Sequence, residues 1–271
     1  MTFLITGATG SVGRHVVDEL VRAGAPVRAL TRDPAAADLP EGAQIVRGDL
    51  TRPETLAPAL RGVTGVHLID VGGPGYAPLP NGREIVELIR RAGVRKVTLL
   101  SGWATGTLEA AVTESDLDWT YVQPTEFMVN ALAWAPSVRA RGVVEEPFGA
   151  TKTAMVHEAD IGAVIATVLT GDGHTGHSYG LTGPELLDMP AKVRILAEAI
   201  GRDLTYTELS AGEMRERHRA QGVPEELIAF QIEAFDVPDG AYQVSGTVEA
   251  VTGRPPRTFA QWAAEHAEAF L

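Results

Sequence analysis

A glycine-rich segment near the N-terminus has the spacing of a nucleotide-binding turn. Residues Thr6–Gly13 place Gly7, Gly10 and Gly13 in a Gly-x-x-Gly-x-x-Gly pattern between a short β-rich run and an amphipathic helical stretch. Glycines at these positions permit a tight turn, let the backbone approach a pyrophosphate and allow close packing of strand on helix. The N-terminus of the following helix presents free N–H groups and partial positive charge to the phosphates. The segment therefore predicts a dinucleotide site rather than a tight turn alone.

The residues at the end of the second predicted strand bear on which dinucleotide binds. NAD sites usually carry an acidic residue here for the ribose 2′-hydroxyl. This chain instead has Thr31 and Arg32, with Arg32 about 20 residues after the glycine turn. A guanidinium matches a 2′-phosphate bidentately and stacks on adenine, so these residues favour NADP(H) over NAD(H). The alternative is that Arg32 is a solvated turn residue and Asp33 takes the ribose.

An acidic residue also follows the third predicted strand. Asp49 stands in the segment Gly48–Leu50. Its carboxylate could accept a hydrogen bond from the adenine amino group, or it could cap the helix that starts at Pro53. The sequence leaves both roles open.

Short apolar runs alternate with helical patterns through the first half of the chain. Strands are predicted at residues 2–5, 26–30, 44–47, 66–71, 96–101 and 119–123, and helices at 14–23, 53–60, 82–92 and 107–115. Such alternation builds βαβ units around a buried parallel sheet, and right-handed crossovers put helices on both faces. We therefore expect an α/β fold with a doubly wound parallel sheet, the Rossmann architecture.

The regularity changes after Pro124. Helices are predicted at residues 160–169, 190–200, 211–220, 224–235 and 258–270, and strands at 177–181 and 204–209. We expect an NAD(P)-binding domain over residues 1–150. A smaller α+β C-terminal substrate lobe would cover residues 151–271, with some of its segments returning to the first domain.

Composition excludes several classes of chemistry. The chain has 271 residues, a formal net charge of −12 and no cysteine, which removes thiol catalysis, iron–sulfur clusters and thiolate metal sites. The negative charge and the lack of a basic cluster disfavour binding to nucleic acid.

His174 and His177 have no evident third ligand, so no metal site is expected. Because no apolar stretch approaches the ~20 residues of a membrane span and the first residues lack a basic region, we expect a cytoplasmic protein that does not enter membranes.

Seven segments, in order along nearly the whole chain, are characteristic of one family. They are Thr6–Gly13, Thr31–Pro34, Gly48–Leu50, Trp119–Asn130, His157–Ile161, Leu181–Glu185 and Thr252–Phe259. The chain resembles the NmrA-like family of atypical short-chain dehydrogenases/reductases. That resemblance implies either an NADPH-dependent reductase of quinones and similar compounds or a catalytically silent redox sensor, and some related proteins tailor aromatic polyketides. Gln123 stands where relatives usually have arginine before the proline, which weakens any inference of an anionic group held there.

The resemblance assigns residues at the strand ends to the cofactor. The diphosphate would lie against Gly7, Thr9, Gly10, Ser11, Val12 and Gly13. The ribose and nicotinamide would lie against residues that follow strands four, five and six, namely Val71, Gly72, Ser101, Gly102, Pro124 and Thr125. Ligands of open α/β sheets bind at the carboxyl ends of the strands, so these positions are physically reasonable.

The chain lacks the Tyr-x-x-x-Lys pair that typical short-chain reductases use as a proton relay. None of its five tyrosines has a lysine four residues later, which disfavours reduction of an ordinary ketone by that relay. A quinone needs less acid help, because hydride addition gives a resonance-stabilised hydroquinone anion and catalysis then rests on positioning. Ser101 is the candidate catalytic residue that could supply a proton or orient a water. Thr107 and Glu109 are interpreted as a helix cap and a solvated helix residue.

Aromatic residues in the loops after the strands could form the roof of a substrate cleft. Trp103, Phe127, Trp134 and Phe148 could stack on a polycyclic ring, or could pack two lobes together. We expect an NADPH-dependent oxidoreductase of a small, hydrophobic, quinone-like or polycyclic aromatic substrate, with a polyketide-tailoring role. Two alternatives are a dioxygen-using monooxygenase that hydroxylates an aromatic polyketide, and a non-catalytic NADP-binding redox sensor.

Overall fold

The structure, a computed structural model, describes residues 1–72, 77–102, 106–238 and 240–271. The chain forms two compact units. The first contains Met1–Pro124, Glu158–Leu181 and Thr247–Arg254, and the second contains Thr125–His157, Thr182–Gly246 and Pro255–Leu271. This division differs from the boundary at residue 150 expected from the sequence. The sixth strand of the sheet ends at Pro124, and the segment 158–181 supplies another helix and another strand to the first unit.

A sheet of seven parallel strands forms the centre of the first unit. Its strands are β1 (Thr2–Ile5), β2 (Val27–Thr31), β3 (Ala43–Arg47), β4 (Val63–Ile69), β5 (Lys96–Leu100), β6 (Asp118–Pro124) and β7 (His177–Leu181). Their order across the sheet is β7-β6-β5-β4-β1-β2-β3. The strand order reverses between β1 and β4, and ligands of such sheets bind at this switch point. The order confirms the predicted doubly wound α/β fold.

Helices from both halves of the chain complete the two units. In chain order they are α1 (Gly13–Arg22), α2 (Ala57–Leu60), α3 (Gly82–Arg91), α4 (Thr107–Thr113), α5 (Ala135–Arg141), α6 (Glu158–Thr170), α7 (Met189–Ile200), α8 (Ala211–Ala220), α9 (Glu225–Phe235), α10 (Thr247–Thr252) and α11 (Phe259–Glu265). Short 3₁₀ helices span Pro34–Ala36, Pro53–Thr55, Met128–Trp134 and Ala267–Phe270. The pairs α1–α6 and α3–α4 belong to the first unit.

Side chains of the central strands alternate between the two faces of the sheet. Leu4, Val66 and Val97 are aligned across β1, β4 and β5, and they lie in one apolar core with Ile85 of α3 and Leu108 of α4. This continuous apolar layer is what a parallel sheet covered by helices requires.

The opposite face of the sheet contains a buried polar pair. His67 of β4 lies opposite Thr98 of β5, and its Nδ1 atom is 2.9 Å from the threonine hydroxyl. Burial lowers the pKa of His67 to about 3, because the charged imidazolium would lose its hydration. The ring is therefore neutral at physiological pH and has a structural role.

Two glycines let helices in the first unit approach each other closely. A Cβ on Gly82 of α3 would lie 2.3 Å from the Cα atom of Leu108 in α4. A Cβ on Gly162 of α6 would lie 2.6 Å from the Cβ atom of His15 in α1. Neither contact is sterically allowed, so both helix pairs depend on glycine at these positions.

An aromatic core holds the second unit together. Trp262 stacks on Phe259 with ring centroids 5.6 Å apart, and Phe270 packs edge-on against Trp262 at 6.3 Å. The strand Val143–Glu146 pairs in parallel with Thr205–Glu208. The sequence did not predict α5 or the strand that follows it, because each is too short to establish a hydrophobic period.

Candidate cofactor and substrate site

The glycine-rich turn joins β1 to α1, and its geometry requires glycine. Gly7 has φ +59°, in the left-handed region. The amide of Gly10 donates a hydrogen bond of 2.9 Å to the carbonyl oxygen of Gly7. A Cβ on Gly13 would lie 2.1 Å from the same oxygen. Any side chain at Gly13 would therefore push the first turn of α1 away from the end of β1.

The N-terminus of α1 presents unpaired amides. Val12 precedes the helix without a side-chain cap, and the first turn of the helix has no acidic residue. Across the described part of the chain, the amides of Ser11, Val12 and Gly13 find no hydrogen-bond acceptor. Thr9, Gly10 and Ser11 are exposed. Unpaired amides at the positive end of a helix dipole match the oxygen atoms of a diphosphate.

The turn after β2 leaves one arginine available. Asp33 Oδ1 accepts a 3.2 Å hydrogen bond from the amide of Ala35, and Thr31 Oγ1 accepts one of 3.2 Å from the amide of Asp33. One carboxylate oxygen of Asp33 is therefore engaged by the local turn, and a role for its second oxygen toward the ribose stays a prediction. Arg32 is exposed and makes no ion pair or hydrogen bond with any of the described residues, so its guanidinium can meet a ligand.

Asp49 fixes the turn after β3. Its Oδ1 atom accepts hydrogen bonds from the amide and the hydroxyl of Thr51, at 2.9 and 2.8 Å. Arg52, not Asp49, is the residue that precedes the 3₁₀ helix Pro53–Thr55, so Asp49 does not cap that helix. A role for its second oxygen toward adenine stays a prediction.

The loop after β4 packs tightly at a glycine. Val71–Gly72 pairs antiparallel with Ala77–Pro78. A Cβ on Gly72 would lie 2.7 Å from Leu79 Cδ2 and 3.0 Å from Thr51 Cγ2. Glycine at this position lets the loop approach the chain that follows β3.

Ser101 stands at the end of β5 with an unsatisfied hydroxyl. The residue is 3% exposed, and its amide donates a 3.1 Å hydrogen bond to the carbonyl oxygen of Val122. Its Oγ atom is buried and has no hydrogen-bond partner among the described residues. A buried hydroxyl of this kind costs free energy unless a ligand or water pairs with it. Gly102, which follows, is exposed.

Thr107 ties α4 to α3. Its hydroxyl donates to the carbonyl oxygen of Leu79 at 2.6 Å and accepts from the amide of Gly82 at 3.0 Å. It therefore caps α3 rather than its own helix. Glu109, in the first turn of α4, is half-buried rather than fully solvated.

Asp70 is a candidate site residue that the sequence interpretation did not single out. It follows β4 directly and is 7% exposed. Burial raises the pKa of its carboxyl to about 6, and the nearby negative charge of Glu109 adds to the rise. A carboxyl with this pKa is mostly ionised at physiological pH, but its protonated fraction is far larger than that of an ordinary aspartate. The available signal was an acidic residue at the carboxyl end of a buried strand.

Pro124 and Thr125 stand at the end of β6. Pro124 is the last residue of that strand and lies opposite Leu181 in β7. The hydroxyl of Thr125 donates a 2.8 Å hydrogen bond to the carbonyl oxygen of Ala154 within the second unit. Their contact with a nicotinamide stays a prediction.

The candidate substrate aromatics have different environments. Trp103 lies outside the described residues. Trp134 is buried in the core of the second unit, where its Nε1 atom donates to Glu146 Oε1 at 2.9 Å. Phe127 is half-buried and its backbone bridges to Val156. Phe148 is half-buried and its backbone has φ 58°. Residues other than glycine rarely adopt this strained backbone conformation outside turns and functional sites.

A buried polar network in the second unit was also missed. Lys192 of α7 is 2% exposed, and its Nζ atom donates to Glu126 Oε2 at 2.9 Å and to Thr153 Oγ1 at 2.8 Å. The hydroxyl of Thr153 donates to Glu126 Oε2 at 2.6 Å. The signal was a lysine, one of only three in the chain, inside the apolar pattern of a helix.

Other classes of site find no support among the described residues. Within the ranges 1–72, 77–102, 106–238 and 240–271, no group of three or more histidine, aspartate or glutamate side chains could hold a metal ion. The helices of those ranges are all too short or too polar to cross a membrane.

The carboxyl edge of the first unit fits a dinucleotide. The unpaired amides at the start of α1 suit a diphosphate, and the exposed Arg32 guanidinium has the charge and shape that a further phosphate requires. Ser101 needs a hydrogen-bond partner that no described residue provides. Each of these features has a counterpart in the phosphates, riboses or carboxamide of NAD(P)H.

Comparisons with known proteins agree with this fit. Residues 7–172 match the family model described as NAD(P)H-binding. The chain is 37% identical to the (4-alkanoyl-5-oxo-2,5-dihydrofuran-3-yl)methyl phosphate reductase of Streptomyces griseus and 34% identical to the NAD(P)H azoreductase of Xenophilus azovorans, in each case over 98% of both chains. An NADPH-dependent quinone oxidoreductase of Escherichia coli, solved with NADPH, superimposes with a TM-score of 0.80 at 25% identity, covering 97% of this chain and 99% of that one.

The match to the family model covers more than half of the chain, and the two reductases align with it almost from end to end. The fold, the glycine turn and these similarities agree, and the chain belongs to the NAD(P)H-binding family of the NmrA-like, atypical short-chain dehydrogenase/reductase class as an NAD(P)H-dependent oxidoreductase.

Proposed function

We propose that this oxidoreductase uses NADPH to reduce a quinone-like or polycyclic aromatic small molecule. The chain lacks the Tyr-x-x-x-Lys pair, and the observation that carries the proposal is a pair of polar groups at the ends of two strands. A buried, unpaired hydroxyl at Ser101 and a carboxyl of raised pKa at Asp70 follow the neighbouring strands β5 and β4. These groups offer hydrogen bonding and a weak acid, which suit an acceptor that needs little help with protonation.

NADPH, when bound, supplies a hydride. The amides at the start of α1 would hold the diphosphate, and the Arg32 guanidinium would pair with the 2′-phosphate. Ser101 would orient the reacting end through its hydroxyl. Asp70 would supply the proton that the reduced product takes up, because its raised pKa increases its protonated fraction near neutral pH.

The compounds that the relatives are named for support a conjugated acceptor. Azo compounds, quinones and an oxo-dihydrofuran each place an unsaturated group where added charge can be delocalised. Delocalisation lowers the need for a tuned acid, so positioning dominates catalysis. A polycyclic quinone of the aromatic polyketide type is the substrate class that we propose within this group.

The experiment is a steady-state measurement of NADPH absorbance at 340 nm with a panel of quinones, in air and under nitrogen, with mass analysis of the products. We expect NADPH oxidation that depends on the quinone and is retained under nitrogen. Turnover that requires dioxygen and yields a hydroxylated product would replace this proposal with a monooxygenase. Tight NADPH binding without turnover on any acceptor would leave a redox sensor.

A further inference from the structure

Strand β3 ends on an arginine that lies directly opposite the end of β2. Arg47 is the last residue of β3 and is aligned with Thr31, the last residue of β2. The amide of Gly48 donates a 3.0 Å hydrogen bond to the carbonyl oxygen of Thr31, and a Cβ on Gly48 would lie 2.6 Å from Leu30 Cδ1. The two strand ends are therefore fixed against each other, at the strand spacing of about 4.8 Å. Arg32, which follows Thr31, and Arg47 both start from this edge.

Arg47 belongs to the face of the sheet that α1 covers. Leu30 and Val46 are aligned across β2 and β3 and pack in the apolar core that contains Ile85 of α3. Because side chains alternate between the two faces, Arg47, one residue after Val46, belongs to the opposite face. The crossovers from β1 to β2 and from β4 to β5 run in opposite directions across the sheet, so right-handed connections put α1 and α3 on opposite faces. Arg47 therefore shares a face and the carboxyl edge with the N-terminus of α1, which suits a diphosphate.

The guanidinium of Arg47 has no partner in the described part of the chain. Arg47 is exposed and makes no ion pair or hydrogen bond with the described residues. Arg28, on the same pair of strands, behaves differently, because its guanidinium donates to Gln44 Oε1 at 2.8 Å and to the carbonyl oxygen of Ala59 at 2.9 Å. Acidic side chains outnumber basic ones in this chain, 35 to 23, yet none of the described ones pairs with Arg47. Its positive charge is therefore available to an anion from outside the protein.

We propose that Arg47 supplies a second guanidinium to the 2′-phosphate of NADP(H), so that Arg32 and Arg47 bind this group from two neighbouring strand ends. A phosphate monoester carries about −1.5 to −2 charges at pH 7 and three acceptor oxygens, which is enough for two guanidinium forks. Arg47 is then a residue that determines cofactor specificity and takes no part in the chemical step. The proposal rests on the role proposed above for Arg32 and on no property of the substrate.

The probes are NADP⁺ and NAD⁺, which differ by the 2′-phosphate alone. Both are oxidised, so no turnover occurs, and their dissociation constants are measured on the full chain by titration calorimetry. Arg47→Ala should weaken NADP⁺ binding by about tenfold to a hundredfold, the range of charge-assisted hydrogen bonds. The constant for NAD⁺ should stay unchanged, so the preference for NADP⁺ over NAD⁺ should fall by the same factor.

Further variants separate charge from shape. Arg47→Lys keeps the positive charge but loses the planar fork, so it should recover only part of the preference for NADP⁺. The double variant Arg32→Ala with Arg47→Ala should bind NADP⁺ no more tightly than NAD⁺. The matched control is Arg61→Ala, which removes another exposed arginine whose guanidinium pairs with no described residue. Arg61 precedes β4, at the amino ends of the strands, and its removal should keep the parent preference.

Two results would overturn the proposal. One is an unchanged preference for NADP⁺ in Arg47→Ala, which would leave Arg47 as a charge that only protects an edge strand. The other is an equal loss of affinity for NADP⁺ and NAD⁺, which would indicate that Arg47 contacts the adenosine that both cofactors share. The variants at position 47 should unfold in urea like the parent, since the guanidinium makes no contact within the described protein that its removal would break.

The single variant Arg32→Ala and a separate measurement of turnover distinguish this proposal from the proposed function. A preference that is lost in Arg32→Ala and kept in Arg47→Ala would overturn this proposal and leave the role of Arg32 intact, whereas the reverse would support Arg47 and contradict Arg32. Quinone reduction is measured with NADPH at 340 nm. The expected cofactor preferences without quinone turnover would contradict the proposed reaction and support the role of Arg47.

Discussion

Asp70 and Ser101 occupy equivalent positions on neighbouring parallel strands. The last aligned residues of β4 and β5 are Ile69 and Leu100, and each polar residue comes one position later. Both are buried, and neither is paired with a side chain of another described residue. The carboxyl ends of two neighbouring strands therefore each continue into a buried polar residue, a carboxyl after β4 and a hydroxyl after β5.

Asp70 should make folding stability depend on pH. Folding raises its pKa from the ordinary value of 3.8 to about 6, so the folded chain binds the proton more tightly than the unfolded chain. This contribution to stability is fully present below pH 3.8 and is lost as the pH rises through about 6. Relative to Asp70→Asn, the parent should lose about 1 to 2 kcal/mol of unfolding free energy between pH 5 and pH 8.

Urea unfolding of both proteins across that pH range measures the difference. Glu109→Gln removes the negative charge that helps to raise the pKa, and should move the midpoint to lower pH. A parent and Asp70→Asn that respond identically to pH would show that the carboxyl is already ionised when buried.

Ser101→Ala should separate stability from activity. The Oγ atom has no partner in the described protein, so its removal deletes no hydrogen bond and should leave the unfolding free energy unchanged or raise it by up to about 1 kcal/mol. The value of kcat/KM with NADPH and a quinone should fall by about tenfold to a hundredfold. Ser178→Ala, at an exposed position of β7, should change neither quantity. A Ser101→Ala protein that is destabilised but fully active would reverse this assignment.

Arg32→Ala should weaken NADPH binding selectively. Loss of a bidentate contact with the 2′-phosphate should raise the dissociation constant for NADPH by about tenfold to a hundredfold. The constant for NADH should be unaffected, since NADH has no 2′-phosphate. Titration calorimetry with both cofactors checks this, and Arg22→Ala, which breaks an exposed pair with Glu19, is the control. Equal affinities of the parent for NADPH and NADH would refute the role of Arg32.

Gly13→Ala should damage the cofactor turn. Its Cβ would lie 2.1 Å from the Gly7 carbonyl oxygen, so the helix must shift at a cost of about 1 to 3 kcal/mol. The shift also moves the unpaired amides, so NADPH affinity should fall about tenfold or more. Gly212→Ala in α8, with nothing closer than 3.8 Å, should instead stabilise the chain by about 0.5 to 1 kcal/mol. Thermal unfolding and NADPH titration measure these effects. Equal stabilities and equal NADPH affinities of Gly13→Ala and Gly212→Ala would contradict this account.

The central sheet and the glycine turn were predictable because their signals are local. Each strand and its crossover helix lie within a short stretch, and Gly7, Gly10 and Gly13 are set by steric demands of one turn. The pair of Glu126 and Lys192 was not predictable, because 66 residues separate the partners and no local pattern marks a long-range contact. The alignment of Asp70 with Ser101 likewise depends on strand register, which only the assembled sheet determines.

The division at Pro124 was missed for a related reason. The sequence indicates that regular alternation ends there and that some later segments return to the first domain, but it does not show that these segments are 158–181 and 247–254. Those memberships depend on close helix packing such as that of Gly162 against His15, which is a property of the tertiary structure.

The most direct test of the central claim is a single-turnover reaction under nitrogen between a polycyclic quinone and the protein loaded with NADPH or with NADPH deuterated at the transferred position. We predict one hydroquinone formed per NADPH consumed, and a primary isotope effect on the rate of absorbance loss at 340 nm. Consumption of NADPH no faster than without protein, or a reaction with neither hydroquinone product nor isotope effect, would contradict the assignment of this chain as a quinone-type reductase.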